Sequence, residues 1–368
     1  MSRTKVAFLH ADLSAGGGAV SLLLNLCRGL KEAGHEAVVA TPWATAGAIE
    51  RFSPYAEVKC LEVIDHAKRY GHLMVADYYL DAVGRRLSRL VRDIDADCYI
   101  HIPGFGYRTA IDGAGRPLVY FCHGLPYTMP FMEEWYRSLP LARPLKLMLR
   151  ATSPLLLSRM QRRLSRFDLV LANSRFTAEW LYLFTGIHSQ VVYLPVDTER
   201  FCPQGQGGGG ERYLLAIGGA AEIDSEAVAQ VAATVPVVKV GAHRVAGCDN
   251  RGFVSDEELV RYYSGAVATL FPATHEPFGY VPVESMACGT PVVCYGYQGP
   301  AETVCDGETG WLVSGRRQLV DTCQEVYGRG VSDAMRQRCR RHVEGHFSIP
   351  ACTAALLAAV HQAQALTP

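Results

Sequence analysis

Short unbroken apolar runs alternate along this chain with longer stretches in which apolar positions recur every three or four residues. The first run, Lys5–His10 (KVAFLH), predicts a buried parallel strand. Ser14-Ala15-Gly16-Gly17-Gly18 then turns the chain into a predicted helix from Ala19 to about Ala33, closed by Gly34, and Glu36–Thr41 predicts a second strand. Leu73–Val91 has helical period. Cys98–Ile102, Leu118–Cys122 and Asp168–Ala172 read as strands, Asn173-Ser174 opens a further helix, and a strand ends at Val191–Pro195. Gln204–Gly210 (QGQGGGG) is a flexible linker by composition. Beyond it the alternation resumes: strand Tyr213–Gly218, helix Ser225–Thr234, strands Val235–Gly241 and Gly252–Val254. A capping box, Ser255-Asp256-Glu257-Glu258, opens a helix to Ser264. Ala268–Pro272 is a short strand, and a helix from about Val281 to Cys288 stops at Gly289. Strands alternating with helices on both sides of a linker predict an α/β protein of two lobes, each built on a parallel sheet and joined by a hinge.

Composition narrows the function classes. The chain has 368 residues, ample for two domains, with 36 basic side chains against 36 acidic ones, so no global charge argues for nucleic acid as a partner. Its twelve cysteines contain no C-x-x-C pair and no His/Cys cluster at zinc spacing. They read as buried thiols of a reducing compartment, with no bound metal expected. No apolar run reaches the roughly 20 residues of a spanning helix, and Met1–His10 is a poor signal peptide, so a cytoplasmic protein is expected. One segment departs from the balance. From Trp135 to Phe167, Arg137, Arg143, Lys146, Arg150, Arg159, Arg162, Arg163 and Arg166 occur without an acidic residue, on two helical halves separated by Ser153-Pro154. Such a stretch, 137–166, is either a solvated helix face or a peripheral contact with an anionic membrane at its inner face.

The candidate chemistry lies in Phe271–Val313. Glu276-Pro277-Phe278-Gly279-Tyr280-Val281-Pro282-Val283-Glu284 places two carboxylates with seven residues between them, a chain-breaking glycine and a helix-starting proline among the seven. Glu276 is expected in a loop and Glu284 in or near the first helical turn. The amides of Gly279, Tyr280 and Val281 would face whatever sits above them, a site for an anion, and the carboxylates could accept from vicinal hydroxyls. Phosphate plus sugar hydroxyls is the ligand this chemistry suggests. The glycine run Gly16–Gly18 ends strand one, where open α/β sheets place ligands. It does not fit the dinucleotide fingerprint, because Ser21 stands where glycine is needed, and it serves a tight turn or a ligand.

The whole string, E-P-F-G, the second glutamate, A-C-G-T-P-V-V, P-A-E and D-G-E-T-G-W-L-V, resembles the donor-site signature of the retaining glycosyltransferases of family 4, which have the GT-B fold. N-S-R-F-T at Asn173 and L-P-V-D at Leu194 also recur in that family. The resemblance implies two Rossmann-like lobes. Their expected bounds are 1–203 for the acceptor side, 204–210 for the linker, 211–346 for the nucleotide-sugar side, and 347–368 for a C-terminal helix crossing back to the first lobe. It implies that Glu276 contacts the transferred sugar, Glu284 the ribose, and the Phe278, Gly279, Tyr280 and Val281 backbone the sugar and diphosphate. Gly16, Gly17 and Gly18 would lie beside diphosphate and acceptor, and His123, after the strand Leu118–Cys122, near the transferred sugar. The nucleotide-sugar is then a substrate rather than a cofactor, and the acceptor a small molecule, glycan or lipid-linked hydroxyl. One departure stands out. Where the family carries an arginine and a lysine that neutralise the diphosphate, this chain reads Gly218-Gly219-Ala220-Ala221-Glu222-Ile223-Asp224-Ser225-Glu226, with three acids and no base. Lys239 or Arg244 is the expected substitute; the alternatives are a non-catalytic GT-B subunit or a sugar-nucleotide epimerase using the same fold.

Overall fold

The computed structural model describes residues 3–10, 12–14, 18–65, 88, 90–102, 115–124, 142–204, 211–219 and 223–367. Most of the expected helix Leu73–Val91, Gly16, Gly17, Glu222 and residues 205–210 of the linker lie outside them. The chain divides into two compact units, Met1–Pro195 with Cys352–Pro368, and Val196–Ala351.

In the first unit, β1 (Lys5–His10), β2 (Glu36–Ala44), β3 (Glu57–Val63), β4 (Cys98–Ile102), β5 (Leu118–Cys122), β6 (Leu169–Ala172) and β7 (Gln190–Val191) form one sheet. Its order is β3-β2-β1-β4-β5-β6-β7, and the strands are parallel throughout. Val6, Ala7, Phe8 and Leu9 are wholly buried, as a strand covered on both faces requires. The helices are α1 (Gly18–Glu32), α2 (Ala46–Phe52), α3 (Arg143–Leu164) and α4 (Arg175–Thr185). Ser174 caps α4, its hydroxyl accepting from the Thr177 amide at 3.0 Å.

Ser153-Pro154 does not divide the basic segment: α3 runs through both. Proline removes the amide that would bond the Arg150 carbonyl, and the Ser153 hydroxyl replaces it, donating to Arg150 O at 2.9 Å.

In the second unit, β8 (Leu214–Ile217), β9 (Val237–Val240), β10 (Asp249–Gly252), β11 (Thr269–Phe271), β12 (Val292–Tyr295) and β13 (Gly310–Val313) form a parallel sheet ordered β10-β9-β8-β11-β12-β13. Around it stand α5 (Ser225–Ala232), α6 (Asp256–Gly265), α7 (Tyr280–Ala287), α8 (Pro300–Thr303), α9 (Arg316–Arg329) and α10 (Asp333–His346). The Ser255/Glu258 capping box of α6 is complete in both directions. The strand expected at Gly252–Val254 lies earlier, at β10, and ends where Gly252 takes a left-handed φ of 73°.

The boundary between units falls at Pro195/Val196 rather than in the glycine-rich stretch, because Val196–Gln204 is bonded into the second unit. Val196 N donates to Phe347 O (2.7 Å), Gln204 N to Ser264 Oγ (3.1 Å), and the Arg340 guanidinium to Thr198 O (2.8 Å) and Phe201 O (2.6 Å). The last helix, α11 (Ile349–Leu366), is long and apolar enough by composition to cross a bilayer. Within the fold, Cys352, Leu356, Ala359, Val360 and Ala363 are buried at the spacing of one helical face.

Candidate functional site

In each sheet the strand order reverses at one place, between β1 and β4 and between β8 and β11, and at such switch points open α/β sheets bind ligands beyond the strands' carboxyl ends. Two segments meet at that end of the second sheet, 223–224 ahead of α5 and 272–279 after β11. They are joined by the Ile223/Ala273 bridge and by the Asp224 amide donating to Pro272 O at 2.9 Å.

The loop after β11 carries Glu276. Its backbone hangs from Gln298, whose amide oxygen accepts from Glu276 N (2.7 Å) and whose amide nitrogen donates to Thr274 O (3.0 Å). Gln298 holds a left-handed φ of 59°, a conformation non-glycine residues rarely adopt. Next to it, Gly299 N donates to Glu276 O at 3.0 Å, and a Cβ on Gly299 would lie 2.4 Å from the Phe278 nitrogen and Cα. Only glycine admits that approach.

The expectation that the Gly279 amide faces outward requires correction. Phe278 N and Gly279 N donate to the Glu276 carboxylate, at 3.1 and 2.9 Å, so Glu276 caps its own turn. A short polar loop with a carboxylate two and three residues upstream satisfies itself this way. Tyr280 and Val281 open α7, whose N-cap is Gly279 with a φ of 100°. Glu284 lies in the second turn of α7 rather than the first. Its carboxylate accepts from Tyr263 Oη at 3.0 Å. Although part of its surface is exposed, protein crowds the carboxyl group: burial pushes it up to about 7, against the pull of Tyr263 and the Arg200 charge.

Lys239, on β9, is fully buried. Its ammonium crosses to the end of the neighbouring strand, donating to Gly218 O (2.8 Å) and to Val240 O (2.7 Å). Arg244 is exposed in the loop between β9 and β10. Of the three acids after β8, Glu222 lies outside the described residues and the other two are engaged within the protein. Asp224 is the N-cap of α5, accepting from Ala227 N (3.1 Å) and Tyr295 Oη (2.9 Å), and Arg316 bridges it to Glu226 with contacts of 2.5 Å to each. Burial alone would raise Asp224, but Arg316, the Ala227 amide and the Tyr295 hydroxyl hold it below the usual carboxylate range.

In the first unit, Gly18 is the first residue of α1 and is exposed. His123 directly follows β5, its ring 4.9 Å from that of Phe121, and among the described residues its Nε2 has no hydrogen-bond partner. Burial, then the charge of His10, push it down to about 3, so it is a neutral imidazole. His10 at the end of β1 and His101 near the end of β4 share that edge of the sheet, and His10 Nδ1 bonds Ile102 O at 2.9 Å. Gln298, Tyr263, Tyr295 and Arg316 were not singled out by the sequence. Only the left-handed turn Tyr297-Gln298-Gly299-Pro300, legible as a breaker cluster, offered a signal. Among the described residues no group of three or more His, Cys, Asp or Glu side chains is arranged to hold a metal ion.

Two parallel α/β sheets with helices, one per unit, and a loop-bearing switch point in each define the GT-B class of architecture. The family models "Glycosyltransferase Family 4", over residues 16–200, and "Glycosyl transferases group 1", over 247–341, both match, and the chain belongs to glycosyltransferase family 4. Among curated relatives, the D-inositol 3-phosphate glycosyltransferase of Actinosynnema mirum is 38% identical over 109 residues, 29% of this chain and 26% of that protein. That of Acidothermus cellulolyticus is 48% identical over 59 residues, 16% and 13% of the two chains. The matches thus span about a quarter or less of those relatives. Two solved structures share the fold over nearly the whole length. Sucrose-phosphate synthase of Thermosynechococcus elongatus has a TM-score of 0.69 at 16% identity, covering 99% of this chain and 100% of that one. HepE of Anabaena, in complex with UDP and glucose, has 0.63 at 17%, covering 98% and 100%.

Proposed function

We propose that the chain is a retaining glycosyltransferase that moves a sugar from a nucleotide-sugar donor, held by the second unit, to a hydroxyl acceptor held by the first. The observation that carries this reading is the Glu276 loop, fixed by Gln298 and Gly299 at the switch point of the second sheet, with Glu284 one helical turn beyond. Glu284 accepts from the ribose hydroxyls, and Glu276 meets the transferred sugar, giving up its turn amides to the donor as it does so. Lys239 supplies the positive field that the diphosphate requires as the bond breaks, from a neighbouring strand rather than from the loop where the family usually places it. With Asp224 and Glu226 paired to Arg316, that loop opposes a diphosphate less than its composition suggests. In the reaction, the bond from the anomeric carbon to the phosphate oxygen breaks as the acceptor oxygen bonds to the same face, and the acceptor's proton passes to the leaving phosphate. His123, neutral, can donate or accept a hydrogen bond within the first unit without carrying charge. The complexes of HepE with UDP and with UDP-glucose make uridine nucleotides the first donors to try.

The test is a thermal-shift panel of nucleoside diphosphates and nucleotide sugars, followed by release of nucleoside diphosphate with and without added acceptors. Stabilisation by a nucleoside diphosphate and acceptor-dependent release are expected. Absence of any nucleotide stabilisation would sink the reading, and conversion of the donor without acceptor would replace transfer by epimerisation.

A further inference from the structure

Helix α3 has two apolar faces, and the fold uses one. Leu149, Ser153, Leu156, Leu157, Met160 and Leu164 recur at helical spacing and are buried, the last four in a core shared with Val170 and Leu181. On the opposite side Pro144, Leu147, Met148, Ala151 and Leu155 recur at intervals of three and four and are exposed. Leu147 shows 65% of its surface, Leu155 53% and Met148 44%. This outer stripe is about 16 Å long at 1.5 Å per residue. Its rim is uniformly cationic. Arg143 lies along one edge, Arg159 along the other, and Arg162 continues the stripe, with no acidic residue anywhere in the helix.

We propose that this outer face of α3 docks the protein on an anionic lipid bilayer. The helix lies in the headgroup plane with Leu147, Met148 and Leu155 in the acyl region and the guanidinium groups among the lipid phosphates. Aliphatic side chains inside a ring of arginines match a surface that presents anions and a hydrocarbon phase together. Nucleic acid presents the phosphates without the hydrocarbon, and the stripe has no aromatic ring on which a base could stack. The contact is not electrostatic alone: each cation contributes about fivefold and is screened by salt, whereas the inserted leucines are not. The surface lies within the first unit, and its test is independent of the transferase reading.

Full-length protein is sedimented with vesicles of phosphatidylcholine alone or mixed with phosphatidylglycerol, at low and high salt. Binding to the anionic vesicles only, weakened but not abolished by salt, is expected. Leu147→Gln with Leu155→Gln lowers the partition coefficient at least about tenfold at both salt levels, because apolar area no longer enters the acyl region. Arg159→Gln with Arg162→Gln and Arg163→Gln lowers it at low salt and flattens the salt dependence. If the parent fails to sediment with anionic vesicles, or the leucine variant binds like the parent, the proposal falls. It falls equally if the leucine variant instead abolishes self-association, since a second copy then covers the face. Should that variant melt below the parent, Leu155→Trp decides. Extra quenching by brominated lipid, beyond that of the parent's own tryptophans, supports insertion, and its absence overturns it.

Discussion

Glu284 is a carboxyl group that changes charge near neutrality. Burial raises it to about 7, so the carboxylate dominates only above that pH. Ribose hydroxyls bond the carboxylate more strongly than the neutral acid, so nucleotide affinity is expected to fall as pH drops through 7. Titration calorimetry at slightly acid and slightly alkaline pH measures this, and Glu284→Gln should flatten the profile. Glu284→Ala removes a charge-assisted bond worth about 1.5–3 kcal/mol of nucleotide binding. Glu276→Ala should reduce turnover with less effect on free nucleotide; equal binding of diphosphate by both variants and the parent would mean the donor lies elsewhere. Lys239→Met should lower affinity for a nucleoside diphosphate while leaving affinity for the nucleoside unchanged. A merely structural lysine would shift both together. Both glutamates were legible in the sequence as types and spacing. The environment of Glu284 was not, because the Tyr263 hydroxyl that meets it stands 21 positions earlier on another helix.

Among elements, the turn at Gln298–Gly299 has the clearest consequence. Gln298→Ala removes two bonds to the Glu276 loop, each worth about 1 kcal/mol net, and should lower kcat together with a Tm loss of several degrees. Gly299→Ala should lower Tm further, since its Cβ would sit inside Phe278. Steady-state kinetics beside thermal melts separate the two cases. The turn lay in view as Y-Q-G-P, but its job is a contact across 22 residues of chain, which no local pattern encodes. Elements buried on both faces were read correctly as unbroken apolar runs, β1, β4 and β5 above all. The edge strands β3 and β10 were missed or misplaced because their half-exposed residues, EVKCLEV and DNRG, carry no such run. Pro154 misled for a different reason: a proline predicts a break unless something else satisfies the orphaned carbonyl, and Ser153 does.

At the scale of the molecule, acid should destabilise the first unit. His10, His101 and His123 are all held below the ordinary imidazole value by burial, the last two at about 3. The unfolded chain protonates these groups near 6.5 while the folded chain does not, so stability falls as pH drops below 6.5 and continues to fall toward 3. The slope is up to about 1.4 kcal/mol per pH unit for each group. Thermal melts across that range should show it. His101→Phe, which keeps a ring against Tyr120 and Phe167, should flatten the dependence.

The route of the chain bears on its biosynthesis. The second unit is one uninterrupted segment, whereas the first closes only with Cys352–Pro368, which carry the buried face of α11. During vectorial synthesis the unit that begins first is therefore finished last: its core waits on the ribosome until residues 352–366 emerge, after every residue of the second unit has been made. Nascent chains stalled just past Ala351 should yield a protease-resistant second unit beside a first that is still digestible, so a premature stop in the last helix would leave the earliest-made half of the protein unfinished.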